Sequence, residues 1–136
     1  MANAMYEKGR EAFGNGNISW PTDNIKAVLV DSALYTENLS TDEFLSDIPV
    51  GARTSTSPNL TGKTNVGGVL DAADTTFTAV TAGDPNEYVI LYQDTAVEGS
   101  SRLIGRVDTA TGLPVTPNGG DITVQWDNGA NKILKL

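Results

Sequence analysis

The chain has 136 residues, 39% hydrophobic and 19% charged, with 9 basic against 17 acidic side chains for a formal charge of −8, and it holds neither histidine nor cysteine. That length is one domain's worth of chain, and the apolar content is too high for disorder. The missing residue types exclude a thiol nucleophile, a Ser-His-Asp or Cys-His relay, the common zinc ligand sets and any disulfide, while nine scattered cations argue against a sequence-independent grip on nucleic acid.

Thr, Asn, Asp, Ser and Gly are abundant, and these residues favour strands and turns over helix interiors, so a mostly β chain is expected. Residues 4–13 are the best helix candidate: Asn3 can cap it, Glu7 and Arg10 can pair at i,i+3, and Met5, Gly9, Ala12 and Phe13 share one face. Gly14 supplies a stop. The turn Asn15-Gly16-Asn17 leads to Ile18 and Trp20, which alternate with polar neighbours as a short strand or extended lead-in that Pro21 ends. Residues 25–30 read Ile-Lys-Ala-Val-Leu-Val, a strand buried on both faces or close to it. Thr41 followed by Asp42, Glu43, Phe44 and Leu45 reads as one capped helical turn, closed by Pro49 and Gly51. Residues 53–68 carry hardly any large apolar side chains and read as a long, largely exposed excursion, available for docking a partner together with the N-terminal helix.

Order returns with Val69 and Leu70, then Phe77 and Ala79, which suit a strand pair before the turn Gly83-Asp84-Pro85-Asn86. Residues 88–92 and 102–107 are two further buried-type strands, joined hairpin-style by the loop 94–101. Ile122, Val124 and Trp126 then alternate with Thr123 and Gln125, and Asp127-Asn128-Gly129 turns the chain into residues 132–136, a terminal β-hairpin belonging to the core. Neither a solenoid repeat nor an internal linker divides the chain. The expectation is a single β-rich domain over residues 1–136: a mostly β antiparallel sandwich or small jelly-roll-like barrel with a short N-terminal helix at 4–13. Residues 1–13 contain no apolar stretch behind a basic start, so neither a secretory signal nor a membrane span is expected, and the chain reads as soluble.

No motif carries catalysis. Gly62-Lys63-Thr64 ends like a phosphate loop, but the earlier glycine that loop needs falls on Ser57, and no apolar strand precedes it, so the tripeptide reads as a polar loop with a lysine. The acidic pairs Asp71 with Asp74, Asp84 with Glu87 and Asp94 with Glu98 offer oxygen ligands to a hard cation in no EF-hand spacing, and they read as solvated loop carboxylates. The fragment Asp127-Asn128-Gly129-Ala130-Asn131 mimics part of a calcium loop without its terminal Glu, and a turn accounts for it. Trp20 and Trp126 could stack on sugars, but their alternating apolar settings assign them to the core. Asn17, Asn38 and Asn59 match the glycosylation acceptor pattern by chance composition. No catalytic, metal or cofactor residue is assigned, and the chain is expected not to be an enzyme.

The segments Tyr6-Glu7-Lys8-Gly9-Arg10-Glu11-Ala12-Phe13, Ile25 to Asp31, Phe44-Leu45-Ser46-Asp47-Ile48-Pro49 and Gly112-Leu113-Pro114-Val115-Thr116-Pro117-Asn118-Gly119-Gly120-Asp121-Ile122, followed by Trp126-Asp127-Asn128-Gly129, resemble a family of small tailed-bacteriophage virion proteins. The resemblance covers nearly the whole chain and brings no catalytic motif. It implies a virion structural protein of the capsid decoration, or cement, type. Such a protein would be made in the bacterial host cytoplasm, bind the major capsid protein on the outer capsid surface, and self-associate as a dimer or trimer without nucleic-acid or membrane partners. A neck, tail or baseplate component is the competing structural role, and a virion-surface carbohydrate-binding module the competing role of another class.

Overall fold

The computed structural model describes residues 3–136. The chain runs β1 (Ala4–Met5), α1 (Glu7–Gly14), β2 (Ile25–Val30), β3 (Arg53–Thr56), β4 (Thr64–Val66), β5 (Val69–Asp71), β6 (Thr75–Phe77), β7 (Tyr88–Gln93), β8 (Leu103–Val107), β9 (Ile122–Val124) and β10 (Leu134–Lys135). The two longest apolar runs, β2 and β7, pair with each other in the middle of a five-stranded antiparallel sheet of order β1-β8-β7-β2-β3. Their nearly continuous hydrophobicity, interrupted only by Lys26 and Gln93 toward the same end of the pair, follows from that position: a central strand covered on both faces has no side on which a polar residue is favoured. Two smaller antiparallel sheets, β10-β5-β4 and β6-β9, complete the fold, and among the described residues no sheet closes into a barrel.

Alternation along the strands sorts the apolar side chains into two layers. Ile25, Ala27, Leu29, Val89 and Leu91 point to one face, where the small sheets cover them with Leu70, Phe77, Ile122 and Val124, and where Trp20 and Trp126 are also buried. Val28, Val30, Tyr88, Ile90 and Tyr92 point to the other, covered by Tyr6, Tyr35, Leu45, Ile48 and Ala52. Residues 31–52 therefore act as a lid of irregular chain over the second face. Leu45–Asp47 within it forms one 3-10 turn, whose start is held by the Asp47 carboxylate accepting the Glu43 and Phe44 N–H groups at 2.8 and 3.0 Å. A bulge in β8 changes its register against β7 between Leu91 and Tyr92, placing Gly105 beneath Leu134 of β10.

Several local expectations are corrected. The helix starts at Glu7, not at residue 4, and Tyr6 stands at its N-cap without a side-chain bond. Ala4 and Met5 instead pair with Arg106 and Gly105 of β8, because that strand would otherwise leave a long row of backbone groups without partners. Asn3 caps no helix. Its Oδ1 accepts the Asp108 and Thr109 N–H groups at 2.9 and 3.3 Å, and its amide donates to the Ile133 carbonyl. The i,i+3 pair on the helix is Lys8 with Glu11 at 3.1 Å, not Glu7 with Arg10. Ile18 and Trp20 are buried outside any strand, Ile18 on irregular chain leading into the turn that holds Trp20. The helical turn expected from Thr41 lies later, at Leu45–Asp47.

Residues 53–68 are largely exposed, as expected, with only Ser57 and Leu60 buried, but they are anchored to the sheet. β3 is an edge strand on β2, and the Ser57 hydroxyl extends that ladder by accepting the Ala27 N–H at 2.8 Å and donating to the Pro58 carbonyl. Leu60 is buried and donates its N–H to the Ile25 carbonyl at 2.8 Å. β5 pairs with β4 and β10, not with β6. The terminal hairpin is also absent: β9 pairs with β6 and β10 with β5, so the two strands expected to face each other join different sheets. No described helix is long and apolar enough to cross a membrane.

Candidate functional surface

An acidic chain with few cations can spend those cations on itself, and this one does. Lys8 pairs with Glu11 at 3.1 Å, Lys26 with Asp94 at 3.0 Å, Arg102 with Glu43 at 3.3 Å and Lys132 with Asp71 at 3.7 Å, and Arg53 and Arg106 pair with Glu98 and Glu37. Lys63, the lysine of the Gly-Lys-Thr tripeptide, donates to the Asp23 carbonyl, and partial burial lowers its pKa. It thus clamps the turn after α1. The formal charge left over is acidic, which disfavours polyanions.

The acidic pairs singled out in the sequence are separated into distinct structural jobs. Asp71 faces Lys132, whereas Asp74 Oδ1 accepts the Trp126 N–H at 3.1 Å. Glu87 accepts the Ser32 N–H at 2.9 Å, while the Asp84 carbonyl receives the Asn86 side-chain amide at 3.3 Å. Asp94 accepts the Ala96 N–H and pairs with Lys26, and these two contacts, in that order, hold its carboxyl below the usual range. Among the described residues no three carboxylates gather where a cation could sit. Both tryptophans are core: Trp20 donates its indole N–H to the Asp71 carbonyl and Trp126 to the Ala73 carbonyl, each at 3.0 Å.

The most developed polar cluster has no motif in the sequence. The Tyr6 and Tyr35 hydroxyls meet at 3.0 Å, and the Tyr35 hydroxyl donates to Asp42 Oδ2 at 2.5 Å, an oxygen that also accepts the Asn38 N–H at 3.0 Å. Burial raises the pKa of every tyrosine in the chain: Tyr6 and Tyr35 strongly, Tyr88 to about 12, and Tyr92 as well. Phenols so held stay protonated and donate hydrogen bonds; they do not serve as bases near neutral pH. A groove of about 300 Å³ lined by Ser32, Tyr35, Thr36, Glu37 and Tyr88 opens beside the cluster, but the groups facing it tie the lid to the sheet. No local signal in the sequence could have found this cluster, since Tyr6, Tyr35 and Asp42 have no motif spacing.

The glycine-rich stretch 112–122 forms a clasp along residues 79–86. Asn86 and Val115 exchange both backbone hydrogen bonds at 2.7 and 2.9 Å, Val80 and the Gly119-Gly120 pair exchange two more at 2.8 and 3.0 Å, and Asp121 accepts the Ala79 N–H at 2.8 Å. Asn86, fully buried, adds a 2.6 Å bond from Thr54 to its side-chain oxygen, which joins the clasp to β3. Other grooves are shallow: one of about 330 Å³ beside β10, with Arg10, Asp127 and Lys135 in its wall, and one of about 370 Å³ between residues 58–61 and 73–78. Large apolar side chains reach solvent at Leu34, Val50, Val66, Val97 and Leu136. Val66 lies on β4, an edge strand whose three residues are all exposed.

Comparison with protein-family models finds no match, and comparison with curated proteins finds none either.

Proposed function

We propose that the chain is a structural protein of a tailed-bacteriophage particle, of the capsid decoration type, that binds the major capsid protein on the outer face of the shell and stabilises it. The observation that carries this reading is the resemblance of residues 6–13, 25–31, 44–49, 112–122 and 126–129 to such virion proteins. Three physical features support it. The body is a β layer buried on both faces, which resists deformation when many copies are strained together on a shell. Its surface is acidic, so it is repelled by packaged DNA and suited to the outside. Its edges, β3 and β4, are short polar strands that leave backbone groups for contacts between copies or with the shell, and copies repeated on a lattice gain avidity from contacts that are individually weak.

Self-association as a dimer or trimer follows from this role, since sites on a shell lie on rotation axes. The test is the copy number per particle in a phage that encodes the chain, measured by quantitative mass spectrometry against the major capsid protein. Decoration requires copies in fixed proportion to that protein and shells that lose heat resistance when the chain is stripped off. A handful of copies per particle would refute decoration and move the chain to the neck, tail or baseplate.

A further inference from the structure

Asparagine followed by glycine is the step at which a polypeptide most readily modifies itself, because glycine has no side chain to keep its backbone nitrogen from reaching the asparagine side chain. The chain has three such steps, Asn15-Gly16, Asn118-Gly119 and Asn128-Gly129, and the fold treats them differently. At the first, Asn15 ends α1 with its N–H on the Glu11 carbonyl at 2.8 Å, and the Gly16 N–H is held by the Phe13 carbonyl at 3.2 Å. At the second, the Gly119 N–H is held by the Val80 carbonyl at 2.8 Å, and the Asn118 side-chain oxygen accepts the Gly120 N–H at 3.0 Å. Both the attacking nitrogen and the group it must attack are restrained there. At the third, both residues are exposed, and among the described residues no hydrogen bond holds either the Asn128 side chain or the Gly129 N–H. Only the Gly129 carbonyl is engaged, by the Lys132 N–H at 3.1 Å.

We propose that Asn128 is a site of spontaneous deamidation, the one Asn-Gly step of the three that the fold leaves free to react. The Gly129 nitrogen loses its proton to water or hydroxide and attacks the Asn128 side-chain carbonyl carbon. A carbon–nitrogen bond forms, the side-chain nitrogen leaves as ammonia, and a five-membered succinimide closes. Water then opens the ring at either carbonyl, which yields aspartate or isoaspartate. The net change is one water consumed and one ammonia released, with no oxidant or reductant. The product sets a second carboxylate beside Asp127 in the connection between β9 and β10. In the isoaspartate form it also lengthens the main chain by one methylene just before β10, the strand whose Leu134 lies over Gly105.

The test uses the full chain, incubated at mildly alkaline pH and warm temperature, both native and unfolded in urea. Ammonia release is followed, and tandem mass spectrometry separates the three asparagines. In the native protein Asn128 should convert first, to a mixture of aspartate and isoaspartate, with Asn15 and Asn118 slower by roughly tenfold or more, the scale on which one or two held hydrogen bonds suppress local opening. In urea the three rates should approach one another. Gly129→Ala should slow conversion at Asn128 while leaving the other two unchanged. Native conversion at Asn118 or Asn15 as fast as at Asn128, or the same order of rates native and unfolded, would overturn the proposal.

Discussion

Replacing Gly9 by alanine sets two known effects against each other with opposite signs. In an ordinary helix the change gains about 0.8–1.0 kcal/mol, because alanine loses less backbone freedom on folding. In α1 a Cβ at residue 9 would stand 2.7 Å from the Leu103 carbonyl oxygen, 2.9 Å from that of Ile104 and 3.2 Å from the Ile104 Cα. All three are main-chain atoms of the five-stranded sheet, so no side-chain rotation relieves the clash. Relief requires α1 to lift off β8 by roughly half an ångström or more, while the Tyr6 N–H bond to the Ile104 carbonyl at 3.1 Å ties the start of the helix to the same strand. Overpacking of this kind costs about 1–3 kcal/mol, and a rigid backbone neighbour puts the case in the upper part of that range. The net expectation is a loss of about 1–2 kcal/mol, a fall in Tm of roughly 3–10 °C for a chain of this size. Gly14→Ala is the control: it ends the same helix, and a Cβ there meets nothing within 4 Å, so stability should hold or rise by up to about 1 kcal/mol. Urea and thermal unfolding followed by circular dichroism read both. A Gly9→Ala protein as stable as the parent would refute the close approach of α1 to β8.

Deleting residues 54–66 should abolish the cooperative thermal transition, since it removes most of β3, the Ser57 bonds to Ala27 and the buried Leu60; a variant that melts within a few degrees of the parent would restore the reading of that stretch as an excursion outside the folded body. Trp126→Ala should cost about 3–5 kcal/mol through the cavity it leaves and the lost donor to the Ala73 carbonyl, read as a fall in the urea midpoint, and Trp126→Phe should cost less because most of the ring volume remains. The tyrosines carry an alkaline prediction. Their folded pKa values lie above the usual value of about 10, so the stability they contribute is complete below that pH and is lost as pH rises through the folded values, Tyr88 reaching about 12. Phenolate absorbance should therefore rise in one cooperative step coincident with unfolding, and a stepwise rise near pH 10 with circular dichroism unchanged would sink it.

The central layer was legible from the amino-acid order alone. β2, β7 and β8 each read as strands because a strand buried on both faces must be apolar at successive positions, and that demand is local. The absence of histidine and cysteine likewise removes whole classes of chemistry without reference to any fold. Partner choice was another matter. Ile122, Val124 and Trp126 alternate correctly for a half-buried strand, yet the pattern is the same whether the strand pairs with residues ten positions onward or with β6, from which it is separated by more than forty residues. Alternation specifies a face and leaves the neighbour to the three-dimensional competition among edges. The same competition drew Ala4 and Met5 out of the helix and onto the edge of β8, where backbone hydrogen bonding outweighed a weak helical preference. The structural anchoring of residues 53–68 leaves no mark in hydrophobicity because the anchors are hydroxyl and backbone groups, which stabilise through geometry; Ser57 becomes a structural residue only when Ala27 stands 2.8 Å away. The Tyr6, Tyr35 and Asp42 chain exists only because the lid over the second face brings distant segments together, and burial then makes each phenol's hydrogen bond matter.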